Sequence, residues 1–449
     1  MAAVQSPAAV EAFYCFNSEF GPHESNEHEK VLYHYPETVP FELQMRAIGL
    51  CEAVINITRT FGSDRLCEAM HTQKRKQSFF EAEPDFWMVL TVKNPSETKR
   101  SKENKTMTRW REGALNDMAL RGVVEQAYSM FRMFHGTMAA LAQREGVQAL
   151  RDTLKTFLAQ YLLTLDIERL NLVKSLEGIQ FLPVDKNVYL RIVSCVNLIN
   201  NTFPQVRECV FLFKDHLVWS GLEQEDIRVL FRFLRLHMGL KDSQVPATKC
   251  FLDLNKDPAS GFVVGPKTLP SSEPVALPDI YIGAGEDRLK LAIFQQHNIT
   301  LVLLLEAEEQ SHEPEFFAQL QRVFAPQVEW LAPAIQDNYV SRKAVSEEPY
   351  RYMYFNHMNL AIKSTITKAT AITPAVMKVL LQMREDFANV TERVHEQIIG
   401  TSSNTWVVGK RSEDRDLYLI IEDKKASLIE VYEEQQKLNS TLFGNIFLD

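Results

Sequence analysis

Cysteine is scarce in this chain of 449 residues: there are six, and no two stand in a C-x-x-C pair. Cys15, Cys51, Cys67, Cys195, Cys209 and Cys250 are scattered singly, which excludes a zinc module and a disulfide framework and predicts reduced, mostly buried thiols. A basic excess is also missing. With 49 Lys+Arg against 58 Asp+Glu the formal charge is −9, the wrong sign for a dedicated binder of nucleic acid, and no nucleic-acid partner is expected. Long apolar runs are absent too. The longest, Ile299 to Leu305 broken only by Thr300, is strand length and cannot span a bilayer. The opening MAAVQSPAAVEAF has neither a charged start nor an apolar h-region, so no signal peptide is expected. The sequons at Asn56-Ile57-Thr58 and Asn439-Ser440-Thr441 then have no use, and the chain reads as a soluble, intracellular protein.

The motifs of bond-making chemistry are incomplete wherever they begin. Gly283-Ala284-Gly285 lacks the third glycine of a dinucleotide loop, and Gly409-Lys410-Arg411 lacks the leading glycine and the hydroxyl of a phosphate loop. His23-Glu24 and His28 imitate H-E-x-x-H. Their i, i+5 spacing and the flanking Gly21-Pro22 cannot put two imidazoles on one helical face, so a solvated loop is expected. His357, between Asn356 and Met358, reads as a hairpin turn and gets the same reading. Trp219-Ser220-Gly221 lacks the first glycine of a nucleophile elbow. Ser220 and Glu223 instead form S-x-x-E, a capping box in which the hydroxyl would accept the N–H of residue 223. His216 sits in the hairpin turn Lys214-Asp215-His216. The carboxylate pairs Glu225-Asp226 and Glu385-Asp386 lie on polar helix faces. No catalytic residue, metal site or cofactor is expected.

What the sequence does contain is a recurring outline. A chain of this length is expected to hold two to three domains. AFYCFN and KVLYHYP lead into the helical run FELQMRAIGLCEAVINITRTF. CVFLF and HLVWS lead into EQEDIRVLFRFLRLH, and RYMYFN and LAIKST lead into ITPAVMKVLLQMREDFANV. Each time two short apolar strands precede an amphipathic helix, with more strands and a closing helix after it. The first copy closes with one long helical region from about Glu112 to Leu172. This order predicts an α+β class, three modules each with a mainly antiparallel sheet flanked by helices. The expected boundaries are 10–172, 173–336 with a Pro-rich insertion at 240–278, and 349–449, with Gln336 to Pro349 as a polar linker. Lys93 to Arg111, with seven Lys/Arg and two Glu, reads as a basic loop. It is either a solvated loop or a contact with anionic lipid through Lys99, Arg100, Lys102 and Lys105, at about 1 kcal/mol per well-placed cation.

The run Phe41 to Phe61 carries two neighbouring apolar stripes: Leu43, Ala47, Leu50, Val54, Ile57 and Phe61, then Ile48, Cys51 and Ile55. A helix covering one sheet needs a stripe of only about 100°. The second stripe is either covered by a following helix of the same module or offered to another protein. The run Phe86-Trp87-Met88-Val89-Leu90 is apolar on both faces, so its strand is central or covered twice.

The segments GLCEAV, HTQK, PDFWMVLTVKNP, HLVWSGLEQEDIR, RYMYFNHMNLAIKST, TWVVGK and the end FGNIFLD resemble the Ccz-one family of vacuolar fusion proteins, over about Phe13 to Asp449. The resemblance implies three longin domains. It also implies a role: a subunit, with the Mon-one protein, of a guanine-nucleotide exchange factor for the late-endosomal Rab GTPase. In animals a third, propeller-containing subunit joins, and the complex is recruited from the cytoplasm to phosphoinositide-bearing endosomal, lysosomal and autophagosomal membranes. In the family the first longin domains form the platform for the GTPase. The expected contribution of this chain is then the helix 41–61. Leu43, Leu50, Val54 and Ile57 would meet the partner, and Arg46, Asn56 and Arg59 would touch the GTPase. The alternative is a longin scaffold of another trafficking or ciliary complex with no exchange activity.

Overall fold

The computed structural model describes residues 4–21, 23, 26–61, 67–100, 106–111, 115–167, 176, 178–237, 252, 254–255, 261–269, 275–307, 314–345, 351–366, 372–389, 394–401, 405–422 and 427–442. Residues 4–167 belong to one compact unit, and the described residues from 176 onward belong to a second.

In the first unit, β1 (Val4–Ser6) precedes β2 (Ala9–Asn17), β3 (Val31–Tyr35) and α1 (Phe41–Phe61). Next come β4 (Ala69–His71), β5 (Arg75–Glu83) and β6 (Phe86–Lys93). Strands β2 to β6 form an antiparallel sheet in the order β3-β2-β6-β5-β4. Strand β6 is therefore central, and its all-apolar sequence follows from burial on both faces. Trp87 and Val89 join Tyr14, Phe16 and Phe79 under Ile48, Cys51 and Ile55 of α1. Met88, Leu90 and Val92 alternate to the opposite face and are also buried. That face carries α2 (Asp117–His135), which packs on β5 and β6 and is followed by α3 (Met138–Glu145) and α4 (Val147–Leu163). The single long helical region expected here is thus three helices. Gly136 and Gly146 break it at φ +80 and +91, left-handed values that a residue with a Cβ adopts only at a cost. Each gives its N–H back to the preceding helix, Gly136 to the Arg132 carbonyl and Gly146 to that of Ala142.

The basic stretch 93–111 is not simply a loop. Ser96–Arg100 (β7) and Thr106–Trp110 (β8) pair antiparallel, and β1 adds to β7 to make a separate three-stranded sheet. Facing threonines, Thr98 and Thr108, meet at 3.2 Å between hydroxyls, a cross-strand pair of the kind that stabilises a hairpin.

The second unit holds two sheets. Helix α5 (Lys186–Thr202) enters β9 (Val206–Phe213), β10 (His216–Ser220) and α6 (Gln224–His237). Then follow β11 (Phe262–Val264), β12 (Asp279–Ile282), β13 (Asp287–Gln296), β14 (Ile299–Glu306) and α7 (Pro314–Val345). The sheet order is β10-β9-β14-β13-β11, with β12 also on β13. Helices α5 and α7 cover one face through Ile192, Cys195, Ile199, Phe317, Phe324 and Val328 over Phe211, Leu301 and Leu303. The expected insertion 240–278 thus contains one strand of the sheet. The expected linker 336–349 is helical through Val345, because α7 continues its apolar face to Ile335 and stays helical beyond it. Ser220 does not make the expected capping box. Its hydroxyl accepts the Leu222 N–H at 3.1 Å and closes the turn before α6 rather than capping residue 223.

The third sheet is built from β15 (Arg351–Asn356), β16 (Ile362–Ser364), α8 (Pro374–Asn389), β17 (Val394–Gly400), β18 (Trp406–Ser412), β19 (Arg415–Ile421) and α9 (Leu428–Leu442). Its order is β16-β15-β19-β18-β17. Helix α9 packs Val431 and Leu438 on Tyr352, Val408, Leu417 and Leu419. On the other face α8 comes so close that a Cβ at Gly409 would stand 3.0 Å from the Phe387 ring. Three times over, a mainly antiparallel sheet lies between helices.

Candidate interaction surface

Helix α1 is entered from Pro40, whose carbonyl accepts the Leu43 and Gln44 N–H groups at 2.9 and 3.2 Å. The Gln44 amide closes the same turn on the Val39 carbonyl at 2.8 Å. Its inward row is Ile48, Cys51 and Ile55. The Cys51 thiol lies 2.9 Å from the Tyr14 hydroxyl, and burial pushes it up to about 11. It therefore stays a neutral core group.

The other row is Leu43, Ala47, Leu50, Val54, Ile57 and Phe61. The alternating steps of four and three are those of a heptad seam. Leu43 is 49% exposed, Leu50 54%, Ile57 55% and Phe61 88%, while Ala47 and Val54 are half-buried. The helices that follow pack on the opposite face of the sheet, so among the described residues the seam has no cover. Of the two covers the sequence allowed, a following helix is not the one seen among the described residues. Single exposed leucines are ordinary; a row of this length on one helix is a candidate interaction surface.

The three polar candidates do not share one environment. Arg46 is exposed beside the seam, and Asn56 is exposed farther round. Arg59 turns to its own sheet, 3.5 Å from the Glu81 carboxylate and with its guanidinium 5.7 Å from the centre of the Trp87 ring. At about 100° per residue, Arg46 and Arg59 stand roughly 140° apart. Of the lipid candidates, Lys99 and Arg100 stand on β7, paired with Met107 and Thr106. Lys102 and Lys105 lie outside the described residues. Met107 on β8 is 71% exposed, and Lys93 reaches over the Trp110 ring at 5.7 Å.

One cluster had no sequence signal. Asp416 has no exposed surface and accepts from Arg411 Nε at 2.7 Å and from its terminal nitrogen at 3.0 Å. His357 Nε2 lies 2.8 Å from the same carboxylate, so His357 stands in the expected turn but is not simply solvated. Burial alone would raise this carboxyl; the bonds from His357 and Arg411 outweigh it and hold Asp416 below the usual range. Arg411 also donates to the Phe387 carbonyl. Arg411 and Asp416 face each other across β18 and β19, a neighbourhood visible only once the register is known. The expected solvation of His216 is also incomplete, since its ring packs at 5.6 Å on Tyr339 of α7. Among the described residues no three His, Cys, Asp or Glu side chains converge as metal ligands would.

Residues 10–136 match the family model described as the first longin domain of INTU, CCZ1 and HPS4. Residues 206–330 and 346–438 match Intu longin-like domains 2 and 3. Full-length similarity then separates these relatives. A vacuolar fusion protein CCZ1 homolog of Nematostella vectensis is 37% identical over 461 residues, spanning 100% of this chain and 99% of that one. The chain belongs to the CCZ1 family of vacuolar fusion proteins. The CCZ1 homolog of Xenopus laevis is 35% identical over 97% of this chain and 96% of its own. That of Dictyostelium discoideum is 29% identical over 97% of each. The three sheet modules are accordingly longin-like domains, and the open seam on α1 belongs to the first longin domain of a CCZ1-family protein.

Proposed function

We propose that this chain is one half of a heteromeric guanine-nucleotide exchange factor, paired with the Mon-one protein and acting on the late-endosomal Rab GTPase of the Rab-seven type. Membership in a family of vacuolar fusion proteins supports the trafficking role, and the uncovered heptad seam of α1 is the observation that carries the pairing. The three domains are taken as 10–172, 173–336 and 349–449, with the first supplying half of the platform. Leu43, Leu50, Val54 and Ile57 pack against the partner, and Arg46, beside the seam, and Asn56, farther round the helix, reach the GTPase. Arg59 supports the helix through Glu81 and Trp87.

Such a factor acts by shape. A Rab grips GDP through its phosphate loop, Mg²⁺ and switches. A protein that binds the empty GTPase better than the loaded one must, by linkage, weaken nucleotide binding by the same free energy. GTP then refills the site because it outnumbers GDP. Among the described residues no helix is long and apolar enough to cross a membrane. Recruitment to endosomal, lysosomal and autophagosomal membranes is therefore peripheral, with the β7–β8 hairpin as a lipid contact and a propeller-containing third subunit in animals.

The test is release of labelled GDP from the membrane-bound Rab. The chain alone should leave release at its intrinsic rate, and the chain with its Mon-one partner should raise it many-fold. Rapid release by the chain alone overturns the shared platform. An intact heterodimer without any exchange would favour the scaffold reading.

A further inference from the structure

The segment between α4 and α5 does more than connect. Ile179 pairs in parallel with Ala361, and Phe181 pairs in parallel with Leu217. On one side, the Ile179 N–H donates to the Leu360 carbonyl at 2.7 Å, and the Ile179 carbonyl accepts the Ile362 N–H at 3.0 Å. On the other, the Gln180 carbonyl accepts the Leu217 N–H at 2.8 Å, and the Leu182 N–H donates to the Leu217 carbonyl at 2.9 Å. Strand β10 is the edge of the second domain's sheet, and β16 is the edge of the third's. One short strand therefore caps two sheet edges at once, using alternate residues for each, as strand geometry requires. A further tie runs from the Gln224 amide of α6 to the His357 carbonyl at 2.7 Å.

The two sides are not equal. On the third-domain side the acceptor, Leu360, is a non-glycine residue held at φ +57, a left-handed conformation that a branched side chain disfavours. The same side demands a glycine, because a Cβ at Gly178 would stand 2.4 Å from the Ile362 Cβ. Strands β10 and β16 are each bonded along their far edges, to β9 and β15, so the inequality rests on Leu360 and Gly178.

We propose that Gly178–Leu182 is a one-sided latch, anchored on β10 and releasable from the third domain, so that the second and third domains are two bodies whose coupling this strand controls. Release at Ile179 relaxes Leu360 and frees the β16 edge. The segment stays on Leu217 and keeps the second domain's edge capped.

Amide hydrogen exchange of the full chain reads this directly, since local openings exchange ahead of global unfolding. The Ile179 and Ile362 amides should exchange at least about tenfold faster than those of Leu182 and Leu217, because only the first pair is exposed by release. Gly178→Val should accelerate Ile179 and Ile362 further and leave Leu182 and Leu217 unchanged. Ile179→Pro removes the donor to the Leu360 carbonyl and sets its ring against that acceptor, opening the same side without adding a Cβ at Gly178. It should accelerate Ile362 alone among the three remaining amides. Equal exchange at all four positions in the unmodified chain, or joint acceleration of both pairs in either variant, overturns the latch and makes the segment an ordinary strand of one rigid body.

Discussion

Replacing Leu50 and Ile57 together by lysine tests the seam on α1. Each side chain is about half exposed, at 54% and 55%. Burying a whole leucine or isoleucine gives about 1.5–3 kcal/mol, so docking can add about 1 kcal/mol at each position. Losing both costs about 2 kcal/mol, close to 30-fold in Kd at 1.4 kcal/mol per decade. Desolvating the ammonium groups adds to that loss. Lysine leaves the chain's own fold almost untouched, because it is a good helix former and its aliphatic stem keeps the contacts of the inner half. The assay is calorimetric titration of the proposed Mon-one partner, with thermal melting of each variant as the check on folding. Asn56→Lys, which adds one such charge to α1 off the seam, should change Kd less than threefold. If Leu50→Lys with Ile57→Lys binds as tightly as the unmodified chain, the seam is not the partner surface.

Two further outcomes concern stability and pH. Asp416→Asn strands the Arg411 guanidinium and should destabilise the third domain by about 3–5 kcal/mol, the cost of breaking a buried pair from one side, read from denaturant midpoints. Because the folded carboxyl titrates below its ordinary value, its contribution is present above about pH 4 and is lost as pH falls further. The variant's acid limb should therefore be flatter, and an unchanged limb refutes the assignment. His135 packs against Phe131 and Phe157 at 5.1 and 5.9 Å between ring centres, and burial lowers it from 6.5 to about 4. The unfolded chain takes up the proton first, so the first unit should lose up to about 3 kcal/mol between pH 6.5 and 4. His135→Phe should remove that slope, and a slope that persists in the variant would rule out this histidine as its source.

The α+β class, the three strand-and-helix modules and the limits of α1 were legible because each rests on local periodicity. Strands repeat every two residues and helices every 3.6, and nothing distant is needed to see either. The double stripe on α1 and the double-sided β6 were legible for the same reason. The division of the long helical region was signalled weakly, by Gly136 and Gly146. The β7–β8 hairpin was hidden under a run of lysines and arginines, since charge describes solvation and not pairing.

By itself, then, the sequence determined which faces are apolar and where the chain changes period. It could not say which of α1's two stripes meets its own sheet, that Arg59 leaves Arg46 for Glu81 and Trp87, or that Asp416 gathers Arg411 and His357. Those depend on register and on which neighbours a side chain finds, and such neighbours come from residues dozens of positions away. Only the tertiary structure brings them within the few ångströms over which packing and hydrogen bonds act.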